Sequence, residues 1–270
     1  MLKLRRLKKS EILQLQNFPP TDWNLDFPQL LSFHFGHSYF YPAAAEIDKK
    51  IVGCGIAMIF GSISWLGTII VLPEYRGQGI GTGITSHLME YCKGKGCRKQ
   101  ILVASEMGEP VYRKLGFTSS AAYVFYKRET AISFQAVTNV REIKKEDIKY
   151  IKELDKKITG EKRFVFIKRF LSTGWVYNSG KPDQIRGVYL PDYGTGLVIA
   201  KDPEAGLALV KLRFNQGQKK IVIPSTNIIV KDFLLSNGFQ EYRRAPRMVL
   251  GEDVKWNPEM VYNRGTGYCG

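Results

Sequence analysis

Cysteine and histidine are scarce in this chain of 270 residues, with four of the first and three of the second. Cys54, Cys92, Cys97 and Cys269 form no CxxC pair, and His34, His37 and His87 do not stand near them at zinc-finger spacing. That excludes a structural zinc module and a disulfide framework, and it makes a reducing cytoplasm the expected location. His34 and His37, three apart, supply only two ligands, so no metal is expected. The opening MLKLRRLKKSEILQL is basic but has no apolar stretch behind it, so no signal peptide is expected. Acidic residues are also in short supply: 25 Asp+Glu stand against 40 Lys+Arg, a net charge of +15. The excess is shared by both halves rather than gathered in a tail, which describes a solvated surface better than a polyanion-binding arm. No RNA-binding aromatic strand or helix-turn-helix pattern accompanies it, and nucleic acid is not an expected partner.

One uncharged run is both long and largely apolar. Residues 51–72, IVGCGIAMIFGSISWLGTIIVL, are long enough to cross a bilayer. Gly61-Ser62 interrupts them between β-branched runs, and Asp48-Lys49-Lys50 and Pro73-Glu74 flank them as turns do. Two buried strands fit this pattern better than a membrane span.

What the chain does contain is one plan written twice. The first half reads as a strand (2–7), helices (11–16 and 27–35), three strands (39–46, 51–60 and 63–72), and a helix (79–93). A strand (100–104), a short helix (109–115) and a strand (122–128) follow. The second half has a strand at 136–141, an amphipathic helix at 143–157, and strands near 175, 185–189 and 196–200. A helix (203–214), a strand (220–223), a helix (227–236) and a strand (247–250) complete it. ILVASEMGEPVYRKLGF (101–117) resembles IVIPSTNIIVKDFLLSNGF (221–239): each is strand, loop and helix ending in Gly-Phe. A divergent tandem repeat follows, with its connector around 129–134, dividing the chain into 1–130 and 134–270.

The stretch VLPEYRGQGIGTGI (71–84) places four glycines between a strand and a helix start. Such a start offers unpaired amides and the positive end of the helix dipole, and glycines let an anion approach the backbone closely. It is neither a P-loop, since Gly81-Thr82-Gly83 lacks the Lys-Ser/Thr ending, nor a dinucleotide fingerprint, since Thr82 replaces the third glycine.

Val71-x-Pro73-x-x-Arg76-x-x-Gly79-x-Gly81 resembles the acetyl-CoA signature of the GNAT N-acetyltransferases. Tyr112-Arg113-Lys114-Leu115-Gly116-Phe117 is similar to that family's Tyr-x-x-x-Gly-Phe ending. The resemblance implies an α/β (α+β) fold of two tandem GNAT-like domains, each a mixed, largely antiparallel twisted sheet flanked by helices. It also implies direct acetyl transfer from acetyl-CoA to a primary amine. The amides of Arg76, Gly77, Gln78, Gly79, Ile80, Gly81 and Thr82 would cradle the pyrophosphate. The backbone of Ile69, Ile70 and Val71 would pair with pantetheine as with an added strand. Ser105 falls where many relatives contact CoA through Asn. Tyr112 would be the acid that protonates the departing thiolate. The strand 63–71 lacks the carboxylate many relatives place there; Glu106, with Glu109 nearby, is the candidate base, and a water chain to solvent would serve as well. Asp22, Trp23 and Asn24, on the N-terminal elements expected to build the acceptor site, are candidates for gripping a small-molecule or peptide amine. A monomer or homodimer fits, with no membrane partner.

The second copy has only Lys201-Asp202-Pro203-Glu204 where the glycine loop would be, and Leu234 in place of Tyr112. It reads as a degenerate GNAT-like domain that has lost the cofactor. The competing reading is an acyl-CoA-binding regulatory or interaction protein without turnover, associated with RNA or the ribosome.

Overall fold

The structure, a computed structural model, describes residues 1–23, 25–180 and 184–269. The chain forms two compact units. The first comprises Met1–Ser119, Arg247–Asp253 and Gly267–Cys269, the second Ser120–Pro246 and Val254–Thr266.

In the first unit, strands β1 (Lys3–Arg6), β2 (Phe40–Ile47), β3 (Lys50–Phe60), β4 (Ile63–Val71) and β5 (Lys99–Val103) lie side by side in chain order. All pairings among them are antiparallel except β4 with β5, which is parallel. The uncharged run 51–72 is thus a β-hairpin, turning at Gly61 with φ +65°. Among the described residues no helix is long and apolar enough to cross a membrane. The turn between β2 and β3 has left-handed backbone at both Asp48 and Lys49, the twist a two-residue hairpin needs. Helices α1 (Phe27–His34), α2 (Ile80–Gly94) and α3 (Glu109–Lys114) complete the unit. Ile80, Ile84, Leu88 and Cys92 recur every four residues along α2, and all are buried in a cluster with Val52, Ala57, Leu66 and Leu102 of the sheet. Each such aliphatic side chain contributes roughly 1.5–3 kcal/mol.

The second unit contains β6 (Thr118–Lys127), β7 (Val140–Glu142), β8 (Trp175–Asn178), β9 (Ile185–Leu190), β10 (Leu197–Ala200), β11 (Lys220–Pro224), part of β12 (Gln240–Leu250) and β13 (Val261–Asn263). Its helices are α4 (Ile148–Thr159), α5 (Phe164–Ile167), α6 (Pro203–Asn215) and α7 (Ile228–Ser236). An antiparallel sheet runs in the order β13-β10-β9-β8-β7, and β6 pairs antiparallel with β11. Leu209, Val210, Phe214, Val230, Leu234 and Phe239 share its core.

The units are interleaved in sequence rather than divided at one connector. The strand expected to close the first copy, β6, pairs with β11 in the second unit. The end of β12 returns to the first unit, where Arg247–Leu250 pairs antiparallel with Val103–Gln100. Other expectations shift for local reasons. The helix expected from 143 begins at Ile148. The Asp147 carboxylate accepts from Lys144 N and from Arg141, holding residues 145–147 as a 3-10 turn ahead of it. The strand expected over 136–141 is confined to Val140–Glu142, and β13 lies in a tail to which no element was assigned.

Candidate active site

Between β4 and α2 the chain makes a 3-10 turn at Pro73–Tyr75 and then a loop in which Gly77 and Gly79 both take left-handed backbone, φ +77° and +76°. L side chains rarely adopt that conformation, so glycine is needed at both positions. A Cβ at either would meet nothing within 4 Å, so the loop faces open space. Gly79 is the N-cap of α2, and no side chain caps the helix. The first intrahelical bond near this end is Gly83 N to Gly79 O at 2.9 Å, leaving the amides of Ile80, Gly81 and Thr82 without intrahelical acceptors. The first turn carries no acidic residue. Arg76 lies exposed, with Nε donating to Val71 O at 3.1 Å, which folds the loop back on the end of β4. The result is an uncapped positive helix end lined by glycine, a fit for a phosphate group.

The adjoining strand is half paired. β4 meets β5 only over Ile63–Leu66, so Gly67–Val71 has no β5 partner. On its other side the register with β3 shifts between Cys54 and Ile56, leaving Thr68 and Ile69 opposite a single residue, a β-bulge. Thr68 sits at φ +46°, an unusual conformation for a β-branched residue, and its buried Oγ1 has no hydrogen-bond partner. Sequence reasoning singled out Ile69–Val71 but not Thr68, because nothing in the string GTIIV marks a bulge. A Cβ on Gly67 would stand 2.5 Å from Tyr268 Cβ, so the C-terminal tail lies directly against this part of β4. Tyr268 was likewise missed.

Tyr112, on α3, is 9 % exposed and belongs to the same buried cluster as Ile80 and Ile84, against which Ile69 and Val71 pack. Tyr112 thus shares one buried cluster with the first turns of α2, and Ile69 and Val71 of β4 pack against that cluster. Burial pushes the Tyr112 phenol up to about 12, so it keeps its proton at neutral pH. Ser105 turns its hydroxyl inward to accept Gly108 N at 3.2 Å, capping the turn before α3. Glu106 is exposed on that turn, whereas Glu109 pairs with Arg113 at 2.6 Å.

Of the acceptor candidates, Trp23 ends a 3-10 turn at Thr21–Trp23 and is 37 % exposed. Asn24 and the Asp22 side chain lie outside the described residues. His34 is buried against Phe33, Phe40 and Tyr268, and His37 stacks on Tyr39. Among the described residues no three His, Cys, Asp or Glu side chains gather as a metal site would require.

The second unit treats the same two features differently. Its α6 is capped by Asp202, whose carboxylate accepts Ala205 N at 3.1 Å and pairs with Arg186. Burial alone would raise this carboxyl, but the bonds from Arg186 and the backbone more than offset it and hold its pKa low. The helix end thus already has its anion. Beside it, β13 pairs with β10 and reaches β11 through Arg264 N to Val222 O and Val222 N to Asn263 Oδ1, both 2.8 Å. Asn227, the N-cap of α7, donates to the carbonyls of Glu259 and Val261 at 2.8 and 3.1 Å. The Tyr262 ring packs on Gly206 in the first turn of α6, where any Cβ would collide with it. The chain's own segment fills the gap between β10 and β11.

An uncapped glycine-lined helix start thus stands beside a bulged, half-paired strand. Residues 9–117 match the model of the Acetyltransferase (GNAT) family. Over its full length it shares the fold of a Pyrococcus horikoshii crystal structure described as a candidate acetyltransferase. That similarity has a TM-score of 0.84 and 21% identity, covering 100% of this chain and 96% of that one. Glucosamine 6-phosphate N-acetyltransferase of Trypanosoma brucei brucei is 41% identical over 56 residues, 21% of this chain and 38% of the relative. Thialysine N-epsilon-acetyltransferase of Mus musculus is 32% identical over 110 residues, 36% of this chain and 64% of the relative. The chain thus spans between about two fifths and two thirds of these curated relatives.

Proposed function

We propose that the protein is an acetyl-CoA-dependent N-acetyltransferase acting on a primary amine, with its one cofactor site in the first unit. The observation that carries this reading is the open, uncapped start of α2 beside the unpaired half of β4. The amides from Arg76 to Thr82 hold the pyrophosphate, and Ile69–Val71 offers its free edge to the pantetheine amides. Acetyl-CoA supplies the acetyl group as a thioester. Tyr112 holds the proton that the sulfur takes as its bond to the acetyl carbon breaks. Glu106, exposed on the turn before α3, accepts the proton that the acceptor's ammonium must lose before its amine attacks the thioester carbon. Both relatives named above are N-acetyltransferases, which supports an amine acceptor. In the second unit, Asp202 and β13 occupy the corresponding positions, supporting a degenerate domain without a cofactor.

Calorimetry with acetyl-CoA tests this directly. The expected result is one site per chain, abolished in a Gly79→Glu/Gly81→Glu variant that puts carboxylates where the pyrophosphate would lie. Two sites per chain, or unchanged binding in the variant, would contradict it.

A further inference from the structure

Four arginines of this protein are buried: Arg163, Arg213, Arg247 and Arg264. Three of them are met by oxygen. Arg163 pairs with Asp155 at 2.9 Å, Arg247 with Asp253 at 2.8 Å, and Arg213 donates from Nε and Nη2 to Thr195 O. Arg264 differs. It is 7 % exposed, its Nε and Nη1 are buried without any hydrogen-bond partner, and it makes no ion pair among the described residues. Its position is not accidental to a mobile tail, because its backbone is fixed on both sides. Arg264 N donates to Val222 O, and Arg264 O accepts Thr195 Oγ1, each at 2.8 Å.

The guanidinium lies over two rings of β6, 4.7 Å from the Tyr123 centroid and 5.4 Å from that of Phe125. The Phe125 ring is shared with a second cation, exposed Arg243 at 5.1 Å, and Tyr242 meets it edge-on while remaining 44 % exposed. Lys127 stands in the same neighbourhood but is already paired with Glu129. Aromatic faces offset part of the cost of burying a cation, yet they satisfy none of its N–H donors. Burial accordingly depresses the pKa of this arginine, and Arg243 depresses it further. A guanidinium keeps its proton in a protein, so the charge persists and an anion is the group that would complete the arrangement.

We propose that Arg264 anchors an anion-binding site in the second unit, taking the carboxylate or phosphate of a ligand whose remainder is aromatic or apolar. The fork of the guanidinium receives two oxygens, exposed Arg243 draws the anion in, and Tyr242 and Phe125 pack against the rest. The site is separate from the acetyl-CoA reading and does not rest on it.

Titration of the full-length protein with benzoate and with phenyl phosphate, at constant ionic strength made up with chloride, tests the proposal and distinguishes the two anion types. The wild type is expected to bind at least one of them. Arg264→Lys, which keeps the charge and loses the fork, is expected to bind at least about tenfold more weakly, and Arg264→Met not at all. The ligand-free melting temperature of Arg264→Met is expected to equal or exceed that of the wild type, because the variant removes a buried cation without a partner. Failure of the wild type to bind either anion overturns the proposal, as does unchanged affinity in Arg264→Lys. A ligand-free Arg264→Met melting well below the wild type would mean that the guanidinium is already satisfied, and overturns it equally.

Discussion

Tyr112 is the residue on which the proposed chemistry turns, and its environment separates binding from turnover. Its ring is packed in the α2–sheet cluster, so Tyr112→Phe keeps the packing and removes only the hydroxyl. The expected outcome is unchanged acetyl-CoA affinity with kcat lower by about 10²–10³, the range ordinarily lost with a general acid. Because burial raises the phenol to about 12, its protonated form persists through pH 10. The wild-type kcat should therefore show no descending limb between pH 8 and 10, and a pH profile that falls there would remove Tyr112 from the role. A Tyr112→Phe variant as active as the wild type would instead favour an acyl-CoA binder in which this tyrosine only packs. The sequence singles out Tyr112 because it stands four residues before a helix-ending glycine, in a motif with a fixed frame. Thr68 was not. Its left-handed backbone arises from a register shift against β3, and register is a property of two strands that neither strand states alone.

At the scale of elements, the contrast between α2 and α6 could be read from the string. Four glycines and no acid at one helix start, against Asp-Pro-Glu at the other, predict an anion site in the first and repulsion of a pyrophosphate at the second. The element that fills the second gap could not be read. β13 is three residues long and leads into the glycine-rich tail RGTGYCG, with neither the length nor the alternation that marks a strand. It is a strand because its neighbours make it one: Asn263 within it accepts Val222 N and donates to the carbonyls of Thr195 and Gly196, and a further side-chain tether comes from Asn227. That residue caps α7 through Val230 N and donates to the carbonyls of Glu259 and Val261. Asn227→Ala removes a cap and strands two carbonyls, for an expected loss of about 2–4 kcal/mol in urea denaturation. Asn227→Asp should recover only the cap, since a carboxylate accepts from Val230 N but cannot donate to the carbonyls. An alanine variant as stable as the wild type would show that β13 is held by its strand pairing and Asn263 alone.

At the scale of the whole molecule, each compact unit is assembled from more than one stretch of the sequence. The repeat itself was legible, since strand, helix and Gly-Phe recur in both halves. Which neighbour each following strand pairs with was not, because pairing is a property of two strands that neither states alone. The consequence is that the first unit is not contained in residues 1–130. Its strand β5 is completed by Arg247–Leu250, and Arg247 brings with it the Asp253 pair. Gly67 is covered by Tyr268, and Lys99 Nζ donates to Asp253 O at 3.0 Å. A fragment of residues 1–130 would expose the edge of β5 and the apolar side of the bulged strand, while β6 would be left without β11. Expressed alone, it is expected to be aggregated or to lack a cooperative thermal transition, and to bind no acetyl-CoA, although it carries every residue of the proposed cofactor site. Solubility, a melting curve and calorimetry on the fragment decide the matter. A fragment that melts cooperatively and binds acetyl-CoA as tightly as the full chain would mean that the returning strand adds nothing the cofactor site requires.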